Sequence, residues 1–207
     1  MNEYIESLER EFSSIENGFK EEETRAFTDY KSNDSEFIKK LAFLSYQSEV
    51  YQVRMYSVFL FGYLSEDKNI LMFLRDEVSK DSNWRVQEVL AKSFDEFCKI
   101  IGYEKALPVI DDWLKNSNHN TRRAVTEGLR IWTGRPYFKA NPNEAIRRLA
   151  ALRDDPSEYV RKSVGNALRD ISKKYPELIR VELSTWSLEN KGIKQVYQLA
   201  NKLLIKS

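Results

Sequence analysis

Trp84 and Glu88 lie four residues apart, a spacing that places an aromatic ring and a carboxylate on one side of a helix. Lys92 follows after another four residues, so the carboxylate would stand beside a cation. A carboxylate in that position can stabilise positive charge, such as the charge that develops on a sugar when a glycosidic bond breaks. A simpler interpretation is that Glu88 pairs with Lys92 across one turn and Trp84 packs within the first turn. The spacing is compatible with both.

Basic side chains recur at one helical phase in two later segments. The residues two, six, nine and thirteen positions after Val160 lie on the side of their helix that faces away from its apolar stripe. Residues at the first three of these positions can also be counted from Thr121. The side chains at these offsets are Lys162, Asn166, Arg169 and Lys173 after Val160, and Arg123, Glu127 and Arg130 after Thr121. Guanidinium and ammonium groups hold phosphates, and an aromatic side chain can contact a sugar or base. We therefore expect this stripe, apart from the acidic Glu127, to bind DNA.

Charge is distributed unevenly along the 207 residues, although the net charge is only +1. Residues 1–114 hold 14 Lys and Arg against 23 Asp and Glu, a net −9, whereas residues 115–207 hold 19 against 9, a net +10. A basic half on a neutral protein is typical of a polyanion-binding surface. The alternative is a dipolar surface that is merely solvated, as we expect for the acidic run Glu21 to Glu23.

The elements that position these residues are predicted to be helices throughout. Apolar residues recur at spacings of three and four, as in Val160, Val164, Leu168 and Ile171, and strict alternation is nowhere sustained. Turn residues divide the chain into ten or more helices, one of them over about 156–174. The dividing segments are 17–18, 32–34, 65–67, 81–83, 116–120, 134–136, 141–143, 154–156, 175–176 and 190–192.

A two-residue signal, a branched residue followed by Arg, Lys or Gln, recurs at the start of several predicted helices. The pairs are Val53-Arg54, Val86-Gln87, Thr121-Arg122, Val160-Arg161 and Ile193-Lys194, separated by 33, 35, 39 and 33 residues. This period indicates a two-helix repeat, so the fold class is all-α, a HEAT-like helical repeat solenoid with a concave DNA-binding face. We expect a single domain over 1–207, with a helical N-terminal cap at about 1–48 and repeats at about 49–207.

Composition argues against several other classes of protein. One cysteine, Cys98, and one histidine, His119, give neither an internal disulfide nor a zinc cluster, so we expect no metal and no cofactor. The sequence has no glycine-rich loop of the kind that binds nucleotide phosphates, so we expect no nucleotide cofactor. It also has neither a long apolar run nor a leader-like N-terminus, so we expect no membrane association. The expectation is a cytoplasmic monomer, in which Cys98 is buried and His119 is a turn residue.

Three segments resemble the DNA alkylation repair family, which has AlkC and AlkD branches. They read NWRVQE at 83–88, TRRAVTEGLR at 121–130 and DPSEYVRKSVGNALRD at 155–170, and the third is more similar to the AlkC branch. The resemblance covers roughly residues 50–200. It implies a bacterial, nucleoid-associated protein that excises cationic N-alkylated purines, of the 3-methyladenine and 7-methylguanine type, from duplex DNA. The AlkD branch is thought to act without flipping the lesion.

The resemblance also implies roles for individual residues. Trp84 and Glu88 match the family's tryptophan and the catalytic carboxylate that follows it four residues later. Arg123 matches an arginine that binds phosphate in the AlkD branch. Asp170 is the candidate for a second acidic residue, and Trp132 for its aromatic partner.

The chain departs from the AlkD branch at two positions. A glutamate replaces an aspartate at 88, and Asn166 stands where that branch has a second tryptophan. Some relatives with altered aromatics are thought to bind DNA without excising bases, so the resemblance also implies an alternative, a non-catalytic binder of branched or distorted DNA. A protein-binding HEAT scaffold is another.

The segment from Gly134 to Lys139 contributes two further candidates for DNA binding. Arg135 and Lys139 lie beside two aromatic residues there and could contact the DNA backbone. The segment could equally be a packed loop between repeats.

Overall fold

The computed structural model describes residues 1–206, and these form helices and turns without a strand. None of the helices in this part of the chain is long and apolar enough to cross a membrane. Short 3-10 helices occupy Val78–Lys80, Trp132–Gly134 and Leu204–Lys206. The α-helices are α1 (Asn2–Phe12), α2 (Lys20–Ser32), α3 (Ser35–Ser45), α4 (Tyr51–Tyr63), α5 (Lys68–Asp76), α6 (Trp84–Ile101), α7 (Tyr103–Leu114), α8 (His119–Gly128), α9 (Pro136–Ala140), α10 (Pro142–Ala150), α11 (Glu158–Ser172), α12 (Pro176–Ser184) and α13 (Lys191–Asn201).

The chain divides into two compact units, Met1–Ile101 and a second that begins at Gly102. In the first unit α4 is central and packs against α2, α6, α1, α3 and α5. In the second unit α11 packs between α8 and α13 and also contacts α10 and α12. All five repeat markers fall in the serially packed helices, α4 and α6 in one unit and α8, α11 and α13 in the other. The prediction of a helical repeat fold is confirmed.

In four of the five marker pairs, the second residue hydrogen-bonds the turn that precedes its helix. Arg54, Arg122 and Arg161 each donate from Nη1 to the carbonyl oxygens six and five residues earlier, at 2.6–3.2 Å. Gln87 donates from Nε2 to the carbonyl oxygen six residues earlier at 2.7 Å. These bonds satisfy turn carbonyls that the helix cannot reach, which explains why the pair recurs with the repeat.

Arginine also joins successive repeats through buried ion pairs. Arg122 binds both oxygens of Asp155 at 2.6 and 2.7 Å, and their side chains are only 9% and 3% exposed. Arg54 makes the corresponding pair with Asp81 at 2.9 and 3.2 Å. The Arg54 pair therefore fixes the start of α4 to the turn that precedes α6, and the Arg122 pair fixes the start of α8 to the turn that precedes α11.

The apolar stripe predicted for α11 is confirmed, because Val160, Val164 and Leu168 are fully buried and Ile171 nearly so. Two interruptions were not predicted. Residues 46–50 separate α3 from α4, and Gly102 separates α6 from α7 with φ +89°, a conformation that favours glycine. The expectation for the acidic run is wrong at its centre. Glu22 is fully buried and neither carboxylate oxygen has a hydrogen-bond partner.

Candidate nucleic-acid interface

Trp84 begins α6 in the first unit and leaves half of its surface, 50%, open to solvent. The turn before it positions the helix start, because Asn83 Oδ1 accepts from the Arg85 backbone N–H at 2.9 Å. The Arg85 guanidinium lies over the Trp84 ring at 4.5 Å and within 5.5 Å of the Tyr51 ring centroid. This stacking orients the indole while keeping one cation next to it.

Glu88 follows one turn later in α6 and is half-buried. Lys92, the next residue on that side, is engaged with α2: its ammonium lies 3.2 Å from Glu23 Oε1 and 4.3 Å from the centroid of the Phe19 ring. The first unit thus presents a half-exposed indole and a half-buried carboxylate one turn apart.

Four cations and two carboxylates of α8, α11 and the residues that follow them form a connected group in the second unit, which we call the basic cluster. Its members are Arg123, Glu127, Arg130, Arg169, Asp170 and Lys173. Their formal charges, four positive against two negative, leave a net charge of +2. This net positive charge attracts a phosphate, and Arg130 and Lys173 are its most exposed cations, at 44% and 63%.

Asp170 lies at the centre of the basic cluster. Its Oδ2 accepts from Arg130 Nε at 2.9 Å, and its Oδ1 is 3.3 Å from Arg169 Nη2 and 3.0 Å from Lys173 Nζ. Burial by itself raises the pKa of Asp170, but hydrogen bonds from Lys173 and Arg130 and the charge of Arg169 outweigh it, so the pKa lies below its ordinary value. The group remains a carboxylate and a weak base.

Arg123 lies at the other end of the cluster, with its guanidinium 4.1 Å from the centroid of the Tyr159 ring. Tyr159 itself is exposed, and sequence reasoning missed it. The signal available was its position directly before the marker Val160, in the first turn of α11. Lys162 is exposed and pairs with Glu158 at 2.9 Å, whereas Asn166 is half-buried.

Trp132 does not lie on the surface. Its side chain is 0% exposed, packs edge-on against Phe138 with ring centroids 4.8 Å apart, and keeps its indole N–H buried without a hydrogen-bond partner. A fully buried ring has no face to offer to DNA, so this structure places Trp132 in the core. The expectation that Trp132 is the aromatic partner of Asp170 at the DNA is therefore corrected.

The loop that follows is largely packed. Arg135 is half-buried, donates from Nη2 to the Gly128 carbonyl oxygen at 3.3 Å and lies 5.9 Å from the Tyr103 ring centroid. Lys139 is exposed at the end of α9. Between the two alternatives for this loop, the contacts of Arg135 favour the packed connection, while Lys139 stays available to a ligand.

The chain's one cysteine, Cys98, is buried, and its one histidine, His119, is the first residue of α8. Residues 1–206 contain no group of three or more His, Cys, Asp or Glu side chains arranged to hold a metal ion.

Comparison with known proteins identifies the family. The family described as DNA alkylation repair enzyme matches residues 2–186, and the chain belongs to it. A solved structure of AlkD2 from Streptococcus mutans is 75% identical, with a TM-score of 0.96 and 97% of each chain covered.

Two more distant relatives extend the comparison. The alkylpurine DNA glycosylase AlkC of Pseudomonas fluorescens, solved bound to DNA containing an abasic site analog, is 24% identical with a TM-score of 0.53, over 91% of this chain and 62% of that one. At that identity it supports the fold. The uncharacterized protein YhaZ of Bacillus subtilis is 36% identical over 91 residues, 42% of this chain, and the match spans about a quarter of YhaZ (26%).

Proposed function

We propose that this protein binds duplex DNA and excises cationic N-alkylated purines from it, with Glu88 as the catalytic carboxylate and Trp84 contacting the damaged strand. The observation that carries the proposal is the half-buried Glu88 one turn from the half-exposed Trp84. Family membership supports it, as does the solved complex of AlkC with abasic-site DNA. The basic cluster would hold the phosphates.

The reaction requires little from the protein beyond positioning. An alkylated purine already carries positive charge, so it leaves with the electron pair of the broken C1′–N bond and becomes neutral. Positive charge then develops on the sugar, where the Glu88 carboxylate stabilises it. A water oxygen bonds to C1′, and the proton released by that water passes to Glu88 and on to solvent. The products are an abasic site and the free base.

The test is release of methylated purine from alkylated duplex DNA, quantified by mass spectrometry. Heat-killed protein and unmethylated DNA supply the background, because alkylated purines also leave spontaneously. We expect release above both backgrounds. Release equal to that with heat-killed protein would remove the excision part of the proposal and leave DNA binding to be tested separately.

Binding through the basic cluster is tested by its salt dependence. Each phosphate contact that is lost lowers the slope of log affinity against log salt by about one. We expect Arg123→Ala and Arg169→Ala each to lower the slope by that amount. The matched control is Arg147→Ala, which removes the same charge from α10, where the side chain is 66% exposed and pairs with Glu144. Equal slopes for all three variants would contradict a specific role for the cluster.

A second candidate is DNA binding without catalysis, for branched or distorted DNA. Three observations favour it. Trp132 is buried, and the carboxylate of Asp170 is already paired with three cations. Asn166, half-buried on α11, also offers no ring to a sugar. This candidate predicts binding to a four-way junction more tightly than to a linear duplex of equal length, with no release of methylated purine.

A further inference from the structure

We infer that Asp170 is a positioning residue, which holds Arg130, Arg169 and Lys173 in place for a DNA phosphate, and that it does not take part in base excision. The inference rests on the proposed DNA binding and assigns to Asp170 a role different from the catalytic one expected from the resemblance.

The depth of the side chains supports this assignment. Asp170 is 14% exposed, whereas Arg130 and Lys173, which bind its two oxygens, are 44% and 63% exposed. Arg169 is 22% exposed. The carboxylate is therefore less exposed than each of the three cations, and an approaching phosphate meets Arg130 and Lys173 first. Arg130 follows α8 directly and donates from Nε to Oδ2 of Asp170, which lies in α11, 40 residues later. A single half-buried anion thus fixes side chains from two successive repeats.

Preorganisation is the physical reason why an anion can strengthen binding to another anion. Free arginine and lysine side chains lose rotamer entropy when a phosphate immobilises them, and side chains that are already held lose less. Simple charge counting predicts the opposite, because removing Asp170 makes the cluster more positive and should tighten DNA binding. The two effects therefore differ in sign, which makes the role of Asp170 measurable.

The matched control is Glu127, the other carboxylate of the cluster. It lies 4.0 Å from both Arg123 and Arg130, too far for a hydrogen bond, so it contributes charge with little orientation. Glu127→Gln and Asp170→Asn thus remove the same charge from the same surface. We expect Asp170→Asn to weaken affinity for a duplex of 20 base pairs by about three- to tenfold and Glu127→Gln to leave it equal or tighter.

Two further readouts complete the experiment. The rate of single-turnover release of methylated purine at saturating protein should be unchanged in Asp170→Asn, because positioning affects binding and not the chemical step. A slower rate at saturation would indicate that Asp170 takes part in catalysis.

The heteronuclear NOE of the Arg130 Nε–H group in free protein should fall in Asp170→Asn and persist in Glu127→Gln. An unchanged NOE would overturn the inference.

DNA binding by the wild type and by Asp170→Asn distinguishes a failed positioning role from a failed DNA-binding function. Tighter DNA binding by Asp170→Asn, with the wild type also binding, overturns the positioning role alone. Failure of the wild type to bind any duplex overturns the proposed function and this inference with it. Thermal unfolding of both variants shows whether the fold is retained, and a lost NOE with weakened binding at an unchanged melting temperature supports the role assigned here.

Discussion

Replacing Arg122 by methionine should reveal how strongly the buried ion pairs between repeats stabilise the protein. Methionine retains much of the side-chain length but removes a guanidinium that binds Asp155 at 2.6 and 2.7 Å and two turn carbonyls at 2.7 and 2.9 Å. Asp155 is 3% exposed and would remain as a buried charge without this partner. Breaking such a pair from one side costs roughly 3–5 kcal/mol. For a chain of this size the melting temperature should fall by roughly 6–20 °C.

The assay is thermal and chemical denaturation, with Arg147→Met as the matched control. Arg147 also pairs with a carboxylate, Glu144 at 3.0 Å, but its side chain is 66% exposed, so its loss should cost about 1 kcal/mol or less. Asp155→Asn added to Arg122→Met should recover part of the stability, because it neutralises the stranded charge and can keep the bond from the Ser157 backbone N–H at 2.8 Å. The reasoning is refuted if Arg122→Met costs no more than Arg147→Met.

Three further changes test other parts of the structure. Glu22→Gln should stabilise the protein at neutral pH, because burial raises the pKa of Glu22 and the wild type loses stability as pH rises from the ordinary pKa through the raised one. Denaturation should therefore show the gain at pH 8 shrinking towards pH 4, and a gain independent of pH would contradict it. Gly165→Ala should cost roughly 1–3 kcal/mol, since its Cβ would lie 2.6 Å from Leu199 Cβ and the backbone carbonyl of Val196 leaves little room to shift; a neutral effect on the melting temperature would refute tight packing of α11 on α13. Trp84→Ala should weaken binding to alkylated duplex by about 1–3 kcal/mol in fluorescence anisotropy, because the half-exposed ring can stack on a base or sugar, and unchanged affinity would remove Trp84 from the interface.

The repeat fold could be predicted from sequence because its signals are local. A branched residue followed by Arg or Gln lies in the first turn of α4, α6, α8 and α11, and its long polar neighbour bonds the turn just before the helix. Most of the helices begin or end at or next to the segments rich in Asn, Asp or Pro that predicted their ends. Gly102 was missed because a lone glycine between Ile101 and Tyr103 carries none of the polar residues that usually accompany a turn.

The details of the candidate site depended on tertiary contacts that helical phase does not encode. Trp132 lies in a 3-10 turn after α8, where the periodicity of an α-helix no longer tells which side a residue occupies. The partner of Asp170 across the repeat, Arg130, is 40 residues away in sequence. Glu22 was expected in solvent because it lies in an acidic run, yet it is buried while its neighbour Glu23 pairs with Lys92 of α6.

The most direct test of the central claim compares Glu88→Gln with Glu96→Gln in single-turnover release of methylated purine from duplex DNA. Both changes remove one carboxylate from α6, and Glu96 pairs with Lys99 at 3.0 Å. We expect a fall of about 10²-fold or more for Glu88→Gln, and a rate close to wild type for Glu96→Gln. Wild-type release that persists undiminished in Glu88→Gln would contradict the assignment of Glu88 as the catalytic carboxylate.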